Sequence, residues 1–286
     1  MIAAEEPDAA SQARRRWLRR YGLASLGAAV ILVWGLVALL APVIAPDPPA
    51  VVDVANRLKP PSDLHWLGTD VLGRDVFSRL LYGARTSLAV GFTVVLLASL
   101  FGTLLGAIAA YARGWVEEVL MRTTDLIFCF PPIILAMAIA AALGIGTRNT
   151  VIAMLVVWWP KFARLARSLV LGQRAQEYVA AAQVIGFGPV HILLRQILPN
   201  ALGPLIVLVT LDLGNAILVF AGLSFLGLGV VPPTPEWGSM VSEGRELVNQ
   251  WWVATFPGLA ILSVVIGFNF MGDGIRDWLD PHAHRR

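Results

Sequence analysis

The sequence predicts an all-α integral membrane protein that crosses the bilayer six times. The 286 residues are 57% hydrophobic and 14% charged, with a mean hydropathy of +0.70, which is too apolar for an ordinary soluble domain. Several apolar stretches reach the length of about 20 residues that a helix needs to cross a bilayer. The basic residues lie mostly between those stretches. They form no stripe interleaved with aromatic residues, so the pI of about 9.4 does not indicate a nucleic-acid partner.

Six stretches are long enough to span the bilayer as helices, because hydrocarbon leaves no backbone group free of a hydrogen bond. They are residues 21–45, 87–111, 126–143, 150–170, 202–229 and 252–271. The fourth is the least secure, since Pro160 and Lys161 interrupt it and its remaining residues include Arg164 and Arg167. The first follows a run of arginines, as a secretory signal does, but it is longer than a cleaved apolar region. We therefore expect it to remain as a transmembrane helix.

The distribution of Lys and Arg predicts the orientation, because cytoplasmic connections retain these residues. Placing both termini in the cytoplasm puts 15 of the 22 basic residues on the cytoplasmic side. The chain then divides into a cytoplasmic tail (1–20), a first transmembrane helix (21–45), an external segment (46–83), a core of five transmembrane helices (84–272) and a second cytoplasmic tail (273–286). Residues 75–82 place their apolar side chains on one face, which predicts a short helix at the outer interface.

The connection 171–201 is the most informative cytoplasmic segment. Its Ala-rich sequence favours a short helix up to Gly186, and residues 186–189 break that helix. A second helix is expected over 191–198. Small side chains at 180–182 allow another protein's backbone to approach, and glycines at 186 and 188 permit a bend that a side chain would obstruct. The sequence thus predicts a helix-turn-helix projecting into the cytoplasm.

Polar groups inside the apolar stretches are the candidates for lining a transport pathway. Asp212 lies in the fifth stretch, where a carboxylate is costly unless it faces water or a partner. It either lines a wet passage, or is hydrated or paired with a polar group such as Asn215. Ser224 is the third candidate.

Catalytic and metal-binding functions find little support. Ser224 as a protease nucleophile would need a histidine at its own depth, and the apolar stretches contain none. His282 and His284 lack further ligands for a metal, and Cys129, in an apolar stretch without a partner cysteine, is expected to be a buried thiol. No Gly-rich phosphate loop ending in Lys-Ser or Lys-Thr is present. We therefore predict no catalytic residue, no metal and no bound cofactor in this chain.

Several motifs together resemble one protein family. Ala180 to Ala182, Gly186 and the later Leu198-Pro199 match the spacing of a signature in permease subunits of bacterial ABC importers. That signature opens with Glu-Ala-Ala, whereas this chain has alanine at 180 and carries Glu177 three residues upstream. The resemblance narrows to the second permease subunit of dipeptide, oligopeptide and nickel importers through HWLGTD at 65–70, GRD at 73–75, SRLLYGAR at 78–85, LSFLGLG at 223–229, PPTPEWG at 232–238, FPG at 256–258 and GDGIRD at 272–277.

The resemblance implies a type I permease fold in the bacterial cytoplasmic membrane and a non-catalytic subunit working by alternating access. The implied partners are a homologous permease forming a heterodimer, two ATPase subunits that bind ATP and Mg, and an external binding protein. The implied ATPase-coupling loop comprises Glu177, Tyr178, Ala180, Ala181, Ala182, Gly186, Phe187, Gly188 and Pro189. Peptides are the expected substrates. A nickel-chelate or glutathione-type importer of the same family and an ion-coupled secondary transporter are the alternatives.

Overall fold

The computed structural model describes residues 9–279, with side chains from residue 22 onward, and all of its regular elements are helices. His282 and His284 lie outside the described residues. The α-helices are α1 (Ala9–Ile44), α2 (Val76–Ala112), α3 (Gly114–Phe128), α4 (Pro132–Leu143), α5 (Thr147–Arg174), α6 (Glu177–Val184), α7 (Pro189–Ile192), α8 (Leu198–Phe225), α9 (Trp237–Gly244) and α10 (Trp252–Leu279). A short 3₁₀ helix covers Val54–Asn56, and a π-helical turn over Leu193–Ile197 joins α7 to α8.

Four single helices are long and apolar enough to cross a membrane: Gly22–Ile44, Val76–Ala112, Pro189–Phe225 and Trp252–Leu279. They correspond to the first, second, fifth and sixth predicted spans, and the fifth ends at Phe225 rather than at 229. The third predicted span, 126–143, is not one straight helix, because the chain bends by 93° between α3 and α4. Phe130 and Pro131 lie in this break, and Pro132 begins α4. A proline cannot donate the backbone hydrogen bond that helix continuation needs. Cys129 lies at the break and is exposed, so the expectation of a buried thiol was wrong.

Below, the outer end of the helix bundle is the end that carries residues 45–75 and α9, and the inner end is the end that carries α6 and α7. Residues 76–82 form the first turns of α2. The prediction of a separate short helix over 75–82 was therefore wrong. The hydrogen-bonding pattern continues because Asp75 caps the helix, accepting the backbone N–H of Ser78 at 2.7 Å, and no helix breaker follows it.

The contact between α2 and α5 is the most extensive in the bundle. Gly102 and Gly106 of α2 lie directly against the backbone of α5 at Trp159 and Ala163. A Cβ atom at Gly106 would fall 2.1 Å from the Ala163 carbonyl oxygen, so no side chain fits there. Small residues at such positions let two membrane helices approach closely and maximise their van der Waals contact.

Helix α1 packs against α10 in the same manner. Gly27 faces the backbone of α10 near Gly267, and Gly274 faces Ala24. Trp34 adds a polar contact, since its Nε1 donates a hydrogen bond to Ser263 Oγ at 2.9 Å. The opposite side of α1 is covered with exposed apolar side chains, among them Leu32 and Leu39. That pattern is typical of a peripheral helix that faces lipid.

Charged residues join the outer segment to α9. Arg74 Nε donates to Asp70 Oδ2 at 2.6 Å, and its Nη2 donates to Glu243 Oε2 at 2.9 Å. Arg79 bridges the same two carboxylates. We call these four residues, Asp70, Arg74, Arg79 and Glu243, the outer charge cluster. Its two arginines are buried, and each needs paired carboxylates to offset the loss of water.

Trp237 and Glu236 place the start of α9 inside the protein. Trp237 is fully buried, and its Nε1 donates to the Leu80 carbonyl oxygen at 3.0 Å. Glu236 caps α9 by accepting the backbone N–H groups of Gly238 and Ser239 at 2.8 and 2.9 Å. Burial raises the pKa of the Glu236 carboxyl, and these hydrogen bonds oppose that shift.

The α2–α5 contact leads to a test of stability. We expect Gly106→Ala to destabilise the purified protein by about 1–3 kcal/mol, because the new methyl group forces the two helix backbones apart. Thermal unfolding in detergent measures the effect. The control is Gly172→Ala in α5, where a Cβ atom would meet no heavy atom within 4 Å. Equal midpoints for the two variants would show that the close approach contributes no stability.

Candidate functional site

A pair of short helices at the inner end forms the predicted helix-turn-helix. Helix α6 follows α5 after only two residues, and α7 begins four residues after α6 ends and continues through the π-helical turn into α8. The first predicted helix is therefore present. The second, expected over 191–198 as a separate element, is instead the beginning of the long helix that includes α8. The pair is thus attached directly to α5 on one side and to α8 on the other.

The residues predicted for ATPase coupling divide between an exposed and a buried face. Glu177, Tyr178, Ala180 and Ala181 are exposed, as is the whole stretch 183–190. Ala182 is only 4% exposed. Together with Val179 it packs against α2, α5, α7 and the π-helical turn, through the buried residues Ala107, Ala110, Val170, Ile192 and Ile197. Ala182 therefore holds the pair on the bundle. The sequence pattern of three consecutive alanines does not distinguish these two faces.

Large apolar side chains project from the tip of the pair. Val184 is 88% exposed, Ile185 73% and Val190 66%. Phe187 is also exposed and stacks on the His191 ring, with a centroid distance of 4.5 Å. Exposed apolar side chains grouped in one place are a common mark of a protein contact surface. We call Ala181, Val184, Ile185, Phe187 and Val190 the apolar tip.

Gly186 determines the turn between the two helices. It adopts φ +95°, a conformation that residues with a side chain rarely accept. Its N–H bonds to the Gln183 carbonyl, and the Phe187 N–H bonds to the Ala182 carbonyl at 3.1 Å, the hydrogen bonds of a Schellman cap. Gly188 has an ordinary extended backbone, with φ −68° and ψ 158°, and a Cβ atom there would meet nothing within 4 Å. The prediction that both glycines are required by the bend is therefore correct for Gly186 and wrong for Gly188. Pro189 is the first residue of α7, where a missing N–H costs no hydrogen bond.

Hydrogen bonds fix the junction between α5 and the helix pair α6–α7. Arg174, the last residue of α5, donates to the carbonyl oxygens of Ala110 and Tyr111 at the end of α2, at 3.3 and 3.1 Å. Its guanidinium lies 5.0 Å from the Tyr111 ring centre. Tyr178 donates to Gln173 Oε1 at 2.8 Å. The orientation of α6 is therefore fixed relative to both α2 and α5.

Asp212 forms an ion pair with Lys161. The distance from Lys161 Nζ to Asp212 Oδ1 is 2.6 Å, and the side chains are 33% and 3% exposed respectively. The pair joins the middle of α5 to the middle of α8, since each residue is the fifteenth of a 28-residue helix. Within the described residues, Asp212 Oδ2 is buried without a hydrogen-bond partner. Removing one member of such a pair strands the other charge, at a cost of about 3–5 kcal/mol.

The three pathway candidates do not lie together. Asn215 is exposed, and the carboxylate of Asp212 bonds to Lys161 rather than to Asn215. Ser224 is buried near the outer end of α8, twelve residues from Asp212. Gly229 packs so closely on Ser224 that a Cβ atom there would fall 1.9 Å from Ser224 Oγ. Ser224 thus belongs to a tight helix-to-loop contact.

Two other cations of α5, Arg164 and Arg167, are paired with α3. Arg164 Nη2 lies 2.6 Å from Asp125 Oδ1, and Arg167 Nη2 lies 2.5 Å from Glu117 Oε1. Sequence reasoning treated Lys161 only as an interruption of an apolar stretch and missed its role as the partner of Asp212. The available signal was a carboxylate in the fifth stretch and a group of cations in the fourth, because a charge in hydrocarbon requires a partner.

Comparison with known proteins places the chain in a family. Residues 102–285, more than half of the chain, match the model of the "binding-protein-dependent transport system inner membrane component". Residues 11–61 match the "N-terminal TM domain of oligopeptide transport permease C". The two matches together cover most of the predicted spans.

Curated relatives agree with this assignment over nearly the full length. The dipeptide transport system permease protein DppC of Alkalihalophilus pseudofirmus is 46% identical, over 92% of this chain and 87% of that protein. The probable D,D-dipeptide transport system permease protein DdpC of Escherichia coli K12 is 44% identical, over 93% and 90%. The glutathione transport system permease protein GsiD of Pectobacterium atrosepticum is 42% identical, over 93% and 89%.

A solved structure has the same fold. An inward-facing conformation of the MetNI methionine ABC transporter superposes with a TM-score of 0.57 at 20% sequence identity, covering 70% of this chain and 96% of that one. At this identity the similarity concerns the fold alone. The resemblance noted in the sequence is confirmed: the chain belongs to the family of binding-protein-dependent transport system inner membrane components, as a DppC-like permease subunit of an ABC importer.

Proposed function

We propose that this permease carries dipeptides or oligopeptides across the bacterial cytoplasmic membrane by alternating access. The observation that supports this substrate class most strongly is the identity of 44–46% with two permeases named for dipeptide transport, over more than nine tenths of this chain. Glutathione permeases are similar to the same degree, at 42–45% identity, and are named for a tripeptide. The shared chemistry of these substrates is a short peptide with charged groups.

The permease works in a complex. A homologous permease supplies the other half of the pathway, two ATPase subunits bind ATP and Mg, and an external binding protein delivers the substrate. The chain has no phosphate-binding loop of its own, so the energy of ATP reaches it through contact with another subunit. The family description, which names binding-protein dependence and the inner membrane, supports these partners and this location.

Six spans are consistent with the helix arrangement. Helix α5 carries too much charge to pass as a span by composition alone, yet its 28 residues correspond to about 42 Å of helix. Its charged residues at 161, 164 and 167 all have carboxylate partners from α8 or α3. Such pairing makes α5 compatible with a place inside the bundle. The α3–α4 pair supplies the remaining span as a bent helix, and both termini lie in the cytoplasm.

The apolar tip is the contact with an ATPase subunit. It projects from a helix pair continuous with α5 and α8, so a displacement of the pair moves two core helices. Four of its side chains are large and apolar, and burying them in a groove of a partner would favour association. Glu177 and Tyr178, one turn before Ala181, lie on the same side of α6.

Peptide uptake tests the substrate class. Proteoliposomes containing the whole complex, supplied with its binding protein and internal ATP, are expected to accumulate labelled dialanine. Unlabelled dipeptides should compete, whereas free alanine should not. Uptake that requires ATP and persists when ionophores collapse the ion gradients excludes a secondary transporter. Failure to accumulate any dipeptide or tripeptide would refute the proposal.

Substitution at the apolar tip tests coupling. Ala181→Glu places a charge and extra volume in the proposed contact, at a cost of about 1–3 kcal/mol from overpacking, and more if the charge is buried without a partner. We expect loss of ATPase copurification or of substrate-stimulated ATP hydrolysis, together with normal membrane insertion. Ala181 suits this test better than Gly186, whose positive φ makes any side chain strain the turn itself.

The matched control is Gln183→Glu, which adds the same charge to an exposed position of α6 on a different face. The control should copurify and couple normally. If Ala181→Glu also copurifies and shows normal stimulated hydrolysis and uptake, the helix pair is not the coupling element.

Labelling of single cysteines tests the orientation. In a Cys129→Ser background, which removes the chain's one native thiol, Leu64→Cys and Val248→Cys are expected to react with an impermeant maleimide in intact cells. Both positions are more than 85% exposed. Gly188→Cys should react only after the membrane is permeabilised. Labelling of position 188 in intact cells would reverse the topology.

A further inference from the structure

The Lys161–Asp212 pair lies in the middle of the bundle, away from the outer charge cluster and the apolar tip. Lys161 is fourteen residues from the first residue of α5, and Asp212 is fourteen residues from the first residue of α8. Each residue is therefore about 21 Å along the axis from the start of its own helix. With α5 and α8 crossing the membrane, both charges lie deep within the bilayer.

The two members of the pair differ in accessibility. The Asp212 side chain is 3% exposed and the Lys161 side chain 33% exposed. An ammonium at this depth is strongly disfavoured against lipid and is normally found facing a protein partner or a water-filled passage. Among the described residues Asp212 is the one acidic partner of Lys161, so the accessible part of Lys161 is free to face a water-filled passage. Lys161 also lies 5.3 Å from the Trp158 ring centre, which limits the directions its ammonium can take.

An open groove lies on the inner side of this position. It has a volume of about 590 Å³ and lies at the inner end between α5, α8 and α10, where Leu165, Gly203, Val207 and Arg276 line it. Leu165 is one helical turn from Lys161, and residues four apart lie on the same face of a helix. Leu165, the groove-lining residue of α5, is thus about 6 Å along the helix from the lysine.

The hydrogen-bonding capacity of Lys161 is only partly used. Its ammonium has three N–H donors, and among the described residues Asp212 Oδ1 accepts one of them. Because Asp212 already balances the positive charge, an anion that approaches Lys161 is attracted by hydrogen bonds and local charge without being held by an unopposed cation. Weak, reversible binding is what a conducting pathway requires.

We propose that Lys161 is a substrate-contacting residue that binds the carboxylate of the passing peptide, and that Asp212 is the positioning residue that holds its ammonium toward the pathway. This inference rests on the proposed peptide transport and adds to it the chemical group recognised within the membrane. No covalent step is involved.

The test compares two ligands that differ only at the C-terminal group. The complete complex in proteoliposomes, with saturating binding protein, is given labelled alanyl-alanine or its C-terminal amide. Direct binding measurements establish that both ligands load the binding protein. Wild type is expected to transport the free acid about tenfold faster than the amide, in line with the loss of a charged hydrogen bond. Lys161→Met should lower the rate for the acid about tenfold more than the rate for the amide, so that the acid-to-amide ratio falls to about one.

Further variants separate recognition from structure. Lys161→Arg keeps the charge and should keep most of the preference for the acid. Asp212→Asn keeps Lys161 but removes its charged acceptor, so it should weaken the preference partially. Because Lys161→Met leaves a buried carboxylate without a partner, the double variant Lys161→Met, Asp212→Met serves as a second test with no stranded charge, and it should likewise lose the preference.

The outcomes are distinct. An acid-to-amide ratio in either methionine variant equal to that of wild type would overturn the inference while leaving peptide transport intact. An equal decrease in both rates would also overturn it, because a structural role affects both ligands alike. Absence of wild-type uptake of either ligand would refute the proposed peptide function and this inference together.

Discussion

The close contact between α2 and α5 is the constraint on which the rest of the arrangement depends. Helix α5 carries Lys161, Arg164 and Arg167, and such a helix is not stable if lipid surrounds it. Gly102 and Gly106 let α2 lie directly against it, while α3 and α8 supply carboxylates for its cations. The three cations in the middle of this helix are therefore paired with its neighbours, although the Arg164–Asp125 pair remains half exposed. Apolar surface is left to peripheral helices such as α1.

Hydropathy and length predicted the existence and order of the long helices, because lipid requires continuous apolar helices. Hydropathy does not indicate where a helix bends or where its first turn begins. The 93° bend after Phe128 and the extension of α2 back to Val76 depend on capping and on neighbouring contacts. The same limit applies at the inner end, where three alanines in a row gave no indication that Ala182 is buried while Ala181 is exposed.

The turn between α6 and α7 could be predicted from the sequence, whereas the ion pair between α5 and α8 could not. A glycine after an Ala-rich helix predicts a turn, and Gly186 forms it with a positive φ. The Lys161–Asp212 pair joins residues 51 positions apart, and such a contact follows from packing rather than from any local pattern. The cost of an isolated charge in hydrocarbon does predict that Asp212 has a partner. It does not choose between Lys161 on another helix and Asn215 on its own.

The path of the chain connects the two sites. Helix α5 runs from Lys161 to Arg174, then α6 and α7 form the helix pair, and α8 returns to Asp212. The helix pair α6–α7, which would contact an ATPase, is thus attached to α5 and α8, and the Lys161–Asp212 ion pair joins these same two helices near their middle. Arg174 and Ala182 fix the root of the pair to the bundle, so a force on the apolar tip is transmitted to α5 and α8 rather than absorbed by a flexible loop. Because the ion pair joins these two helices, a change in the angle between them would alter the distance between Lys161 and Asp212, and with it the proposed contact of Lys161 with a substrate.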